Sequence, residues 1–245
     1  MGQQRFGVDI GGTGIKGAIV DIDAGVLVTE RVRVLTPHPA TPESVVPVVA
    51  ELVTNAGYVG DVGCAFPAVI KDGKACTAAN IDPTWIGTSV ADAVAARLGG
   101  VTVTAINDAD AAGVAEVRFG AGKGVNGVVV MVTVGTGIGS AVFVDGVLVP
   151  NTELGHLEVD GHVAEHRASE VAREEHDLSR KQWAKRFNRY LEVLEALLWP
   201  DLLIIGGGVS KSPDKVMPLL ESRAKIVPAT LANAAGIIGA ALAAG

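Results

Sequence analysis

Asp9, then Gly11, Gly12, Thr13 and Gly14, then Lys16, in the stretch FGVDIGGTGIKGAIVD at residues 6–21, combine a carboxylate, bare backbone and a cation in a way suited to phosphate. Glycines after a strand let backbone N–H groups approach phosphate oxygens with no Cβ in the way, and the Thr13 hydroxyl adds a donor. Asp9, at the strand's end, is placed to hold Mg²⁺ directly or through its waters. Lys16 has two readings, a cation for a phosphate or a side chain alternating outward on the next strand. The design returns in VVVMVTVGTGIGSAVFVDG at residues 128–146, where Thr133, Gly135, Thr136 and Gly137 form the turn. One such turn is as easily an ordinary hairpin, but two of matching design predict phosphates held between two related domains, and so a phosphotransferase. A third cluster, Gly206, Gly207 and Gly208, follows the apolar run LLII. It serves either a ligand phosphate or a plain strand-to-helix turn.

The elements that must position these residues follow from apolar pattern and punctuation. Strands at about 5–10, 15–22 and 25–35 form a meander, and Thr41-Pro42 opens a helix to about 56, with Thr41 as N-cap and Pro42 in the first turn. VGDVGCAF is a strand, a helix at about 88–98 follows, and VTVTAI is a further buried strand. The second half repeats this order: strands near 127–134 and 138–145, helices at about 166–175 and 179–199, the strand LLII, and a closing helix at about 232–244. A mixed-sheet α/β fold in two domains is expected, 1–107 and a larger 108–245, with the closing helix able to pack back on the first.

Composition sets the bounds. Hydrophobic residues make up 49% of 245 positions, aromatics only 4%, and glycine 31 positions, the profile of small-residue strands and helices. A net charge of −7 disfavours a general nucleic-acid binder unless a local basic patch overrides it. The first strand starts close to Met1 and no apolar run is long enough to span a bilayer, so a soluble cytoplasmic protein without a membrane partner is expected. The two cysteines, Cys64 and Cys76, make neither a zinc site nor, in a reducing compartment, a disulfide.

DIGGTGIKG, NDADAAG at 107–113, TVGTGIGSA, ELGH at 153–156 and IIGGG, in this order, resemble the ROK family of repressors, open reading frames and kinases. That family lies within the actin-like ATPase and hexokinase superfamily, so the resemblance implies two actin-like, ribonuclease H-like α/β domains with a cleft between them. It also implies that Asp108 accepts the proton of a sugar hydroxyl as it attacks phosphorus. The chemistry leaves a second role open for Asp108, capping the helix that follows, which Asp110 would fill equally well. Matching positions put Asn80, Asn107, Asp108, Glu153, His156 and Glu165 around the sugar, with Gly63 to Pro67 lining it by backbone. Repressor members carry a DNA-binding segment ahead of the kinase-like part, for which no room is expected before Asp9.

One departure narrows the resemblance. Most members carry a cysteine-rich zinc motif after the Gly-His pair, and here that stretch reads GHLEVDGHVAEHRAS, so zinc is not expected. It is similar instead to bacterial members that phosphorylate glucose with inorganic polyphosphate and often with ATP as well. A polyanionic donor needs a local basic track on an acidic protein. Lys181, Lys185, Arg186 and Arg189 on the helix at 179–199, with Lys123 and Lys211 beside Gly-rich loops, either form that track or a solvated face. A strictly ATP-dependent hexokinase is the alternative within the class, and a sugar-binding protein without catalysis the alternative outside it. A homodimer is expected by analogy.

Overall fold

The computed structural model describes residues 2–245, and the side chain of Lys211 lies outside the described residues. Near-continuous apolar runs make β1 (Gln4–Ile10) and β2 (Ile15–Asp21), which pair antiparallel from Gln4↔Asp21 to Ile10↔Ile15 and so leave Gly11–Gly14 as the turn. The third strand expected from sequence splits into β3 (Val26–Leu27) and β4 (Val32–Val34), both on β2. α1 (Pro42–Asn55) starts with proline in its first turn, although Thr41 makes no side-chain capping bond. Then come β5 (Val62–Phe66), the small hairpin β6 (Ile70–Lys71) and β7 (Lys74–Ala75), α2 (Val90–Arg97), β8 (Val103–Asn107) and α3 (Asp108–Phe119). The sheet order is β3-β2-β1-β5-β8, with β5 and β8 parallel to β1. Its core gathers Phe6, Val8, Ile10, Phe66 and Trp85 with the apolar face of α1.

The second unit reuses the plan. β9 (Val128–Val134), β10 (Ile138–Val144) and β11 (Val147–Val149) form an antiparallel meander, and β14 (Leu202–Gly207) and β15 (Lys225–Pro228) extend it in parallel, giving β11-β10-β9-β14-β15. Between them lie the hairpin β12 (Glu158–Val159) and β13 (His162–Val163), then α4 (Glu165–Ala168), α5 (Glu170–Glu175) and α6 (Arg180–Leu198). The single helix expected at 166–175 breaks at Ser169, whose extended backbone and hydroxyl, accepting the Ala172 N–H at 3.1 Å, start α5 afresh. α6 opens on a Ser179–Gln182 capping box and buries Trp183, Phe187, Tyr190, Leu191 and Leu194, a helical stripe facing its own sheet's core. After β14 the chain makes a 3₁₀ turn at Gly208–Lys211 and a short α7 (Pro213–Val216).

The last helix, α8 (Ala235–Ala243), belongs to the first unit, which comprises the chain up to Ala115 with Asn233–Gly245; Glu116–Ala232 forms the second. The division therefore falls inside α3 and not at Asn107. Ala111 in the first turns of α3 packs with Ala65 of β5 and Ala240 of α8, which ties that end of the helix to the first unit. α8 lies directly on the sheet: a Cβ on Gly7 would strike the Ile237 carbonyl, one on Gly63 the Ala240 carbonyl, and one on Gly239 the Ala111 carbonyl. The missing side chain of Gly63 is the room that α8 occupies. Among the described residues no helix is long and apolar enough to cross a membrane.

Candidate active site

In the first unit the β1–β2 turn closes on itself through the Gly11 N–H to the Gly14 carbonyl at 3.1 Å, and Thr36 donates its hydroxyl to the Gly11 carbonyl. Thr13 is exposed at its tip. Register places Lys16 opposite Asp9, and the two form an ion pair of 2.7 Å. Lys16 thus turns back onto Asp9. The same carboxylate lies against the first turn of α8, where a Cβ on Gly236 would come within 3.0 Å of it. That end of a helix favours negative charge. Arg33 of β4, opposite Lys16, donates to the Thr13 carbonyl at 3.1 Å and brings an exposed guanidinium to the turn.

Asn80 sits beside that turn, its carbonyl 3.0 Å from where a Gly12 Cβ would be. The loop is pinned by Asp82, which accepts from the Thr84 N–H and hydroxyl, and by Trp85, buried and donating to the Ala40 carbonyl at 2.9 Å. Those bonds hold the Asp82 carboxyl below its ordinary range. At the end of β8, Asn107 caps α3: its Oδ1 accepts the Ala109 and Asp110 N–H groups at 2.9 and 3.0 Å, and its Nδ2 donates to the Ala68 carbonyl at 3.1 Å, next to Pro67. The cap expected of Asp108 or Asp110 is therefore Asn107. Asp108, half-buried, accepts the Ala109 N–H at 2.8 Å.

In the second unit Ser140, just past the β9–β10 turn, accepts the Leu154 N–H at 2.9 Å and donates to the Thr152 carbonyl, fixing the 3₁₀ turn Leu154–His156. Gly155 packs on the Ile138 carbonyl so closely that no side chain fits. Glu165, at the start of α4, accepts the Ile138 N–H at 3.2 Å and faces His156 Nε2 at 3.3 Å. Glu153 completes the group, its carboxyl pushed up by burial and by the neighbouring Glu165, and pulled back by His156. Glu153, His156 and Glu165 are thus brought together. Gly135 closes the turn to the Gly137 carbonyl at 3.0 Å and accepts the Glu170 N–H at 3.0 Å, while Thr136 is exposed. Gly207, at φ 79°, lies on the Val134 backbone where a Cβ would overlap it, so the second and third glycine stretches are neighbours, with Gly208 beside them.

The cations of α6 do not form a continuous track. Arg189 grips Asp160 through two bonds of 3.0 Å and Glu192 at 2.8 Å, and Arg186 bonds the Arg167 carbonyl and His176. Lys181 and Lys185 are exposed, as is Lys123 in the turn after α3. Cys64 is buried, its thiol pushed up to about 12 by burial. Among the described residues no three His, Cys, Asp or Glu side chains gather into a metal cluster.

The sequence profile described as the ROK family matches residues 5–176. The chain belongs to the ROK family. A polyphosphate glucokinase of Mycobacterium tuberculosis (strain CDC 1551 / Oshkosh) is 53% identical over 238 residues, covering 97% of this chain and 90% of the relative. The inorganic polyphosphate/ATP-glucomannokinase of Arthrobacter sp. strain KM superimposes with a TM-score of 0.94 at 52% identity, covering 98% and 97% of the two chains. A ROK-family glucokinase from Streptomyces griseus, solved with glucose and AMPPNP, gives 0.84 at 27% identity over 98% of each chain. The fold is that of the ROK sugar kinases of the hexokinase and actin-like superfamily. The place of Arg33 beside the first glycine turn was not read from the sequence, because only strand pairing brings it there.

Proposed function

We propose that this ROK-family chain transfers a phosphoryl group from inorganic polyphosphate, and also from ATP, to the 6-hydroxyl of glucose, giving glucose 6-phosphate. The observation that carries this reading is the near-full-length identity to the mycobacterial polyphosphate glucokinase. Asp108 is the base: its carboxylate accepts the hydroxyl proton as the oxygen attacks phosphorus, and the Asn107 cap keeps it at the head of α3. Asn80 and Asp108, and the group Glu153, His156 and Glu165, carry donors and acceptors suited to sugar hydroxyls. Asn107 has one N–H of its amide left for a hydroxyl after its backbone bonds. The turns at Gly11–Gly14 and Gly135–Gly137, with Gly207 and Gly208, offer backbone N–H groups to donor phosphates.

Mg²⁺ belongs to the same proposal, and Asp9 fits it: one carboxylate is what this ion takes from a protein when phosphates and water complete its oxygen shell. When bound, the ion neutralises donor charge. Lys16 holds the Asp9 carboxylate in place, at 2.7 Å. Lys181, Lys185 and Lys123, exposed and without carboxylate partners among the described residues, remain for a polyanionic donor. The free thiols of Cys64 and Cys76 suit a reducing cytoplasm. A homodimer is part of the proposal, supported by Leu197 and Trp199, 61% and 67% exposed, and sedimentation of the purified chain decides it.

The test is glucose 6-phosphate formation with Mg²⁺ and glucose, the donor being either long-chain polyphosphate or ATP. Product from both is expected. Product from ATP alone would leave a hexokinase without polyphosphate chemistry, and product from neither would overturn the proposal.

A further inference from the structure

Against the outer face of α6, wholly inside the second unit, is a cavity of about 250 Å³ walled by the β12–β13 hairpin, α4 and α6. Arg167, Lys185, Arg186 and Arg189 line it, and Asp160 is the only carboxylate among its lining residues. That carboxylate is already held by Arg189 through three hydrogen bonds. Among the described residues no carboxylate pairs with Arg167, Lys185 or Arg186. Arg186 bonds the Arg167 carbonyl at 3.4 Å and lies 3.1 Å from the His176 ring nitrogen. Burial, and then the charge of Arg167, lower the pKa of Arg186. Two further polar atoms of the wall, Arg167 Nε and Tyr190 Oη, are buried with no hydrogen-bond partner. Half-buried cations and buried polar groups persist unpaired only at a cost, which a bound anion removes.

We propose that this cavity is a phosphoryl-anion site that takes one tetrahedral phosphate group between Arg167, Lys185 and Arg186. Guanidinium forks match phosphate oxygens, and Lys185 adds a point charge at the mouth. The volume lies below the roughly 300–1,000 Å³ of pockets that enclose drug-sized ligands, which selects a small anion over a nucleotide. Lys185 and Arg189 also border an adjoining groove lined by Glu192, Glu195, Glu221 and Arg223. Two sources share this chemistry: free orthophosphate, and a phosphate residue of the polyphosphate chain. The second source rests on the proposed donor; the first does not.

Calorimetric titration of orthophosphate, and separately of polyphosphate, into the glucose-free chain tests the site, using wild type, Arg167→Gln, Arg186→Gln and Tyr190→Phe. Tyr190→Phe keeps the buried ring and removes only the hydroxyl, so it reports even if an arginine variant fails to fold. Losing one charged contact should weaken binding by about ten- to a hundredfold in the arginine variants, and by less in Tyr190→Phe. Weakening with orthophosphate assigns the pocket to the free ion; weakening with polyphosphate alone assigns it to the polymer. Equal binding by wild type and every folded variant with both anions, or no binding of either, overturns the site. Turnover from polyphosphate is measured apart, so a chain that turns over without this binding loses the pocket and keeps its function, and the converse loses the donor alone.

Discussion

Asn107 spends both ends of its amide on backbone groups, so α3 needs no cap from Asp108, the residue proposed as base. A carboxylate at the head of a helix invites the simpler view that it is the cap, and the capping bonds of Asn107 remove that need. Asp108→Asn should therefore lower kcat by about a hundred- to ten-thousandfold, the span of a lost general base, with glucose affinity by calorimetry nearly unchanged. Equal losses in turnover and affinity would make Asp108 a sugar ligand only. The sequence was an uneven guide at this scale. The carboxylate of Glu165, the first residue of α4, stands 3.3 Å from His156, a contact that the linear spacing of the two residues does not reveal. The space beside Gly63, which its sequence context does not explain, is filled by α8. The Asp9–Lys16 pair needs strand register, which a linear motif does not carry.

α8 shows how an element's sequence is written by what it touches. In an isolated helix Gly239→Ala would add stability, about 1 kcal/mol by helix propensity. Here the added Cβ meets the Ala111 carbonyl of α3, a backbone atom that cannot swing aside, while Gly7 and Gly63 bring α8 equally close to β1 and β5. Overpacking should win, and Gly239→Ala should destabilise the chain by about 1–3 kcal/mol in a denaturant titration followed by circular dichroism. A stabilised variant would mean that α8 is not seated on the sheet. The strongly periodic or long elements, α1, α6, β1, β2, β9 and β10, were legible from the sequence. β6, β7, β11, β12, β13 and β15 were not, since strands of two to four residues are too short to show a period and exist because a neighbouring strand pairs with them.

Across the whole molecule a net charge of −7 opposes a polyanionic donor, so productive encounter must depend on exposed cations at particular places. The structure thins that set, because Arg180 and Arg189 already pair with Glu170, Asp160 and Glu192, leaving Lys123, Lys181 and Lys185 exposed on the second unit and Arg33 at the first glycine turn. Surface charges act over a Debye length of about 10 Å at 0.1 M salt and about 3 Å at 1 M. A long polyphosphate can touch several such cations at once, whereas ATP presents its charge at the transferred end alone. Raising salt should then lower kcat/KM for polyphosphate by about tenfold or more, while the value for ATP falls less, with a neutral osmolyte as the control. The contrast is between donors in one protein, so a general effect of salt on folding or on Asp108 cancels. Equal slopes for the two donors would mean that nothing beyond the terminal phosphates is read, and that the lysines of α6 only solvate their helix.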